Sequence, residues 1–99
     1  MMIDFEDEVM TVKLTGDLDH HRCSTIRKKI DAKCESMRPV LLRLDFEEVL
    51  FSDSSGIGLV MGRYRQMSLL GGKLEVVNLT ENLKKVFRLS GLEALGVLK

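Results

Sequence analysis

Apolar and polar residues alternate along Val9–Thr15: Met10, Val12 and Leu14 point one way, and Thr11, Lys13 and Thr15 the other. A period of two predicts a strand with one wet face. Met2–Glu6 is a shorter strand candidate, and the polar pair Asp7-Glu8 between the two predicts a tight hairpin turn. After Gly16 the period changes. Cys23, Ile26, Ile30 and Cys34 recur at i, i+3, i+7 and i+11, one face of a helix, with Arg22, Arg27, Lys28, Lys29 and Lys33 mainly off that face. Ser36–Pro39 breaks the helix. The clearest strand is Val40–Phe46, with Val40, Leu42, Leu44 and Phe46 on one face and Leu41, Arg43 and Asp45 on the other. A strand buried on both faces would not carry Arg43 and Asp45, so helices are expected on one side of the sheet only, or mainly so.

The connection Glu47–Ser52 follows, with Val49, Leu50 and Phe51 expected to tuck against the core. A second helix is predicted from about Ser54 to Leu70, its apolar stripe formed by Ile57, Val60, Met61, Tyr64 and Met67, with Arg63, Arg65 and Gln66 facing out. Gly71-Gly72 stops it. Leu74–Leu79 reads as a strand, and Leu83, Val86 and Phe87 as a short helix ended by Gly91 and capped by Asn78 or its rival Thr80. Leu92–Lys99 allows a last strand or a helical turn. Strands separated by helices pair in parallel through right-handed crossovers, and the opening hairpin makes the sheet mixed. The expected fold is a single α/β domain over residues 1–99: a mixed β-sheet with an N-terminal hairpin and helices packed mainly on one face.

One junction stands out chemically. Phe51-Ser52-Asp53-Ser54-Ser55-Gly56-Ile57-Gly58 lies where a strand signal ends and a helix signal begins. Either Asp53 or Ser54 can cap the helix by accepting a bond from a first-turn amide. A cap alone would explain the composition. The stretch also suits display: a strand-to-helix junction sits at an edge of the fold, and Gly56 and Gly58 remove side chains next to Ser54, clearing an approach for another protein. First-turn amides and the helix dipole would stabilise a phosphate there by up to about 2 kcal/mol. The polar loop Gly16–His21 leads into the first helix, and its Asp17 and Asp19, with Asp53, would sharpen repulsion of a new charge if the loops lie together. Catalysis has less behind it. The stretch departs from G-x-S-x-G, because Ser52 stands where the first glycine belongs, and only His20 and His21 could supply a base. No Lys-Ser/Thr follows the glycines as in a Walker loop, which leaves a nucleotide phosphate on this helix end as a weaker alternative. The adjacent histidines make a poor metal site; a first-turn pair, one packed and one wet, is the simpler expectation.

Composition narrows the class. The chain has 99 residues, 44% hydrophobic and 30% charged, as in small globular domains. Lys+Arg (15) balance Asp+Glu (15), which gives no electrostatic reason to expect nucleic acid or an anionic membrane as partner. The acids among the first residues argue against a signal peptide, and no apolar run reaches the length of a membrane span, so a cytoplasmic location is expected. Cys23 and Cys34 fit no zinc pair or CxxC spacing and are read as reduced thiols on one helix face.

Taken in order, Gly16-Asp-Leu-Asp-His-His21, Leu44-Asp-Phe, Phe51–Gly58 continuing into Gly62-Arg-Tyr, and Leu89-Ser-Gly-Leu92 resemble the STAS-domain anti-sigma factor antagonists. The two histidines favour the sporulation branch, the anti-sigma F antagonists, over the general-stress branch of the same fold. The resemblance implies a non-enzymatic switch without a cofactor of its own. The first serine of Asp-Ser-Ser-Gly, here Ser54, is phosphorylated in that family by the partner anti-sigma factor, a serine kinase that carries the ATP and Mg²⁺. The unphosphorylated form binds the kinase and releases sigma F; the phosphorylated form binds poorly until a serine phosphatase restores it. The implied docking residues are Asp17, Asp19, His20, Asp53, Ser55, Gly56, Ile57 and Gly58. The family often has glutamate after the loop glycine; Asp17 keeps the charge one methylene shorter. It also often has a longer closing helix after Leu-Ser-Gly-Leu, whereas this chain stops at Lys99.

Overall fold

Asp7 and Glu8 both take positive φ (53° and 66°), the turn class whose twist suits a hairpin. They join β1 (Met2–Glu6) to β2 (Val9–Thr15) in antiparallel pairing, with Ile3 opposite Val12. In the computed structural model, which describes Met1–Lys99, the chain continues through α1 (His20–Met37), β3 (Leu41–Glu48), α2 (Ser54–Leu70), β4 (Lys73–Val77) and α3 (Glu81–Leu89). The strands lie in the order β1-β2-β3-β4, and β2, β3 and β4 are parallel, with Val12 beside Leu44 and Leu44 beside Val76. Met10, Val12, Leu14, Leu42, Leu44, Phe46, Leu74 and Val76 are buried on one face, beneath the helices. The other face carries Lys13, Arg43, Asp45 and Glu75, with Arg43 Nε 2.5 Å from Glu75 Oε1. The one-sided α/β arrangement is thus as expected. No helix is long and apolar enough to cross a membrane.

Helix ends follow their caps. Arg38 and Gly71 adopt left-handed conformations after α1 and α2, and Thr80 rather than Asn78 caps α3, its hydroxyl accepting from the Leu83 amide at 3.2 Å. Asn78 instead sits at positive φ and donates to Asp45 Oδ1. Phe87 of α3 meets Phe46 edge to face, ring centres 5.6 Å apart. The tail does both things that its sequence allows: Leu92–Leu95 forms a 3-10 turn, and Leu98 then bridges Val76 beside β4.

Several expectations are corrected. Val40 precedes β3 and is exposed. Of the connection after β3 only Val49 is buried; Leu50 is 78% and Phe51 54% exposed. Val86 on α3 is exposed. Arg63, expected to face out, is 5% exposed. The buried residues of α2 are Gly56, Leu59, Val60, Arg63 and Met67, so its inner face is rotated away from Ile57, Met61 and Tyr64, which are half-buried at its margin.

Both thiols of α1 are buried and free. Burial pushes the Cys34 thiol up to about 11, Asp31 adds to the rise and Arg63 opposes it. An unfolded thiol ionises near 9.0, so between that value and about 11 the unfolded chain gives up a proton that the folded chain keeps. The contribution of Cys34 to stability is therefore whole below the unfolded value and is lost as pH rises through the folded one. We expect a loss on the order of 2 kcal/mol across this window. Thermal melts over that range check it: the fall with pH is shallower in Cys34→Ala than in the wild type.

Candidate functional site

β2 and β3 are adjacent and parallel, so the loops that leave their C-terminal ends emerge side by side. Backbone bonds stitch them together. The Gly16 amide donates to the Glu48 carbonyl (3.3 Å), the Leu18 amide to Phe51 (3.0 Å) and the Asp53 amide back to Leu18 (3.1 Å). Leu18 and Ser52 form a single parallel bridge, and the Leu18 side chain is completely buried beneath it. Leu18 was not singled out by periodicity; its one signal is that it is the apolar residue of an otherwise polar loop.

The helix starts are held by carboxylates. Asp19 Oδ1 accepts from the Arg22 amide (2.8 Å) at α1, and Asp53 Oδ1 from the Ser55 amide (2.7 Å) at α2. Arg22 also donates a guanidinium N–H to the Asp17 carbonyl. Cys23 lies between the two starts: its thiol is raised first by burial, then by the charges of Asp53 and Asp19. Asp17, Asp19 and Asp53 are thus brought to one edge of the sheet.

The serines of the junction differ in environment. Ser52 is half-buried and its hydroxyl donates to the Asp53 carbonyl at 2.9 Å. Ser55 is half-buried, and its amide is taken by Asp53. Ser54, the first residue of α2, is exposed, and its hydroxyl makes no hydrogen bond within the chain. Because Asp53 engages the Ser55 amide through Oδ1 and the Gly56 amide through its carbonyl (3.0 Å), Asp53 and not Ser54 is the cap.

The two glycines have different roles. A Cβ at Gly58 would meet nothing within 4 Å, so this exposed position does leave an open approach. Gly56 is buried, and a Cβ there would lie 1.8 Å from Ser52 Oγ and 3.1 Å from Ser52 Cβ. Gly56 therefore clears no path for a partner; it lets α2 close onto the Ser52 bridge. Ile57 is half-buried against the core, which places much of its side chain inward.

Both histidines are exposed, contrary to the expected packed-and-wet pair. They diverge. His20 lines a depression of about 280 Å³ between α1 and α2 with Arg27, Ser55 and Gly58, while His21 borders a separate hollow with Met1 and Lys29. No hydrogen bond joins either ring to Ser54. The arrangement can present a free hydroxyl at an edge that also carries three carboxylates.

Comparison with known proteins gives consistent likenesses. The STAS domain family profile matches residues 1–97. The anti-sigma F factor antagonist of Lysinibacillus sphaericus is 38% identical over 85 residues, spanning 86% of this chain and 73% of that one. The solved structure of the anti-sigma factor antagonist SpoIIAA in its unphosphorylated form superposes with a TM-score of 0.88 at 32% identity, covering 99% of this chain and 84% of that one. The Bacillus SpoIIAA structure in its phosphorylated form superposes with a TM-score of 0.79 at 32% identity, covering 99% and 87%.

Proposed function

This chain belongs to the STAS domain family of anti-sigma factor antagonists, and from that premise we propose that it is a binding switch worked by phosphate on Ser54. In its unphosphorylated form it docks on an anti-sigma factor serine kinase and releases sigma F. The kinase, holding ATP or ADP, transfers phosphate to the Ser54 hydroxyl, and a serine phosphatase removes it again. The observation that carries this reading is the isolation of that hydroxyl: exposed, without an internal partner, on an edge where two loops are stitched together and three aspartates gather. That SpoIIAA is known in phosphorylated and unphosphorylated forms supports it further. In this reading Asp17, Asp19, His20, Asp53, Ser55 and Gly58 make up the docking surface on the edge that presents the hydroxyl, while Gly56 and Ile57 support it from inside. The switch is read as a binding event, in keeping with the anti-sigma factor antagonists that the chain resembles. A nucleotide site on the start of α2 has less support, because Asp53 already takes two of the amides that such a phosphate would need.

The test is incubation with the cognate kinase and ATP, followed by mass spectrometric mapping. One phosphate on Ser54, absent from Ser54→Ala, is the expected result. Label chiefly on Ser52 or Ser55 overturns the assignment.

A further inference from the structure

The exposed pair Leu50-Phe51 has no role in the fold that would explain it. The Phe51 carbonyl is fixed by the Leu18 amide, yet the Phe51 side chain is 54% and that of Leu50 78% exposed. Large apolar side chains held rigidly in water mark contact sites when they adjoin a functional edge. These do: Phe51 is three residues from Ser54, at most about 10 Å along an extended chain. A stable protein interface covers about 800 Å² on each partner, a disc of about 16 Å radius, so a protein centred on Ser54 reaches as far as Phe51. The two most exposed apolar residues, Leu89 and Leu69, do not qualify, nor does Val40, which precedes β3 at the opposite end of the sheet. Leu69 sits in the last turn of α2, at the opposite end from Ser54, and Leu89 ends α3.

We infer that Phe51, with Leu50 beside it, is the apolar anchor of the surface on which the Ser54 kinase docks; this rests on the reading of Ser54 given above. The occupant is a protein surface with an apolar socket bordered by basic side chains. The socket takes the Phe51 ring, and the basic groups face Asp17, Asp19 and Asp53. Aromatic residues at the centre of a patch, with polar groups around them, carry a disproportionate share of interface energy.

Calorimetry with the cognate kinase and ADP tests this on the wild type, Phe51→Ala, Leu50→Ala and, as a control, Leu89→Ala. Phe51→Ala is expected to weaken binding at least tenfold and Leu50→Ala severalfold, with Leu89→Ala unchanged. Circular dichroism and melting temperature accompany each variant; Leu50, mostly in water, keeps the test valid if Phe51→Ala folds poorly. Wild-type affinity retained by folded Phe51→Ala and Leu50→Ala overturns the inference and leaves the Ser54 reading standing. A wild-type chain that does not bind the kinase overturns both. A concentration-dependent dimer that dissociates in Phe51→Ala, with kinase affinity unchanged, assigns the pair to a second copy of this chain and overturns the kinase anchor.

Discussion

Ser54→Asp is expected to keep α2 intact and to lose the kinase. The helix should persist because Ser54 is not its cap: Asp53 holds the Ser55 and Gly56 amides whatever residue follows it. An acid in the first turn is moreover favoured by the helix dipole, by about 0.3–1 kcal/mol at an exposed position. Far-UV circular dichroism of the variant should therefore match the wild type. Binding responds differently. The new charge joins Asp17, Asp19 and Asp53 on one edge, where a docked partner whose basic groups are already matched to those three must desolvate it without a counter-charge. Like-charge or unpaired-charge contacts of this kind cost several kcal/mol. Taking about 2–4 kcal/mol, affinity falls roughly 30- to 1000-fold. A true phosphate, carrying about −1.5 to −2, acts at least as strongly. Ser54→Ala is the control and should bind like the unphosphorylated wild type, since it removes the hydroxyl without adding charge. Loss of helical signal in Ser54→Asp would place the switch in disorder rather than repulsion; equal binding by Ser54→Ala and Ser54→Asp would remove the switch altogether.

The periodicities recover the order of strands and helices because each element here has one wet face. Met10, Val12 and Leu14, or Leu42, Leu44 and Phe46, could be assigned to the core from alternation alone, and all are buried. Ser54 stands out for a different reason, the motif around it. What stayed hidden depends on neighbours that a single stretch does not reveal. Leu18 and Ser52 belong to different loops, and nothing in either announces that they bridge. Leu50 and Phe51 are apolar, yet the loop turns them outward because its backbone is committed to Leu18 and Val49 alone turns in. The motif presents Gly56 as clearance for a visitor, but the visitor is Ser52 of the same chain. On α2 the inner face runs through Gly56, Val60, Arg63 and Met67, at i, i+4, i+7 and i+11. A glycine and an arginine near its centre disguise it, and the apolar stripe on its margin looks stronger.

That arginine carries the largest stability prediction. Asp31→Ala is expected to destabilise the domain by about 3 kcal/mol, the lower end for breaking a buried ion pair. Arg63 reaches from α2 to α1, where its Nε lies 2.9 Å from Asp31 Oδ1. The contact is off the N–H axis, so the two atoms and Arg63 Nη1 have no true hydrogen bond, and the attraction is chiefly electrostatic. Burial pulls the Arg63 pKa down, Asp31 holds it up, and Arg27 opposes it. Without Asp31 the guanidinium keeps its burial and its repulsion by Arg27 but loses its counter-charge. The Asp31 side chain is 29% exposed, so water relieves part of the loss, which is why the lower figure applies. For a domain of this size about 3 kcal/mol lowers Tm by roughly 12–24 °C. Arg63→Met removes the buried charge along with its desolvation, fills much of the same volume and leaves the part-exposed Asp31 with Arg27 4.0 Å away, so it should cost clearly less than Asp31→Ala. Because the residues are in contact, their effects should not add: Asp31→Ala in the Arg63→Met background should cost far less than in the wild type. Denaturant melts of the four proteins decide it. If Asp31→Ala is as stable as the wild type, or if Arg63→Met is the more damaging change, then packing of the arginine stem, and not charge, holds α1 to α2.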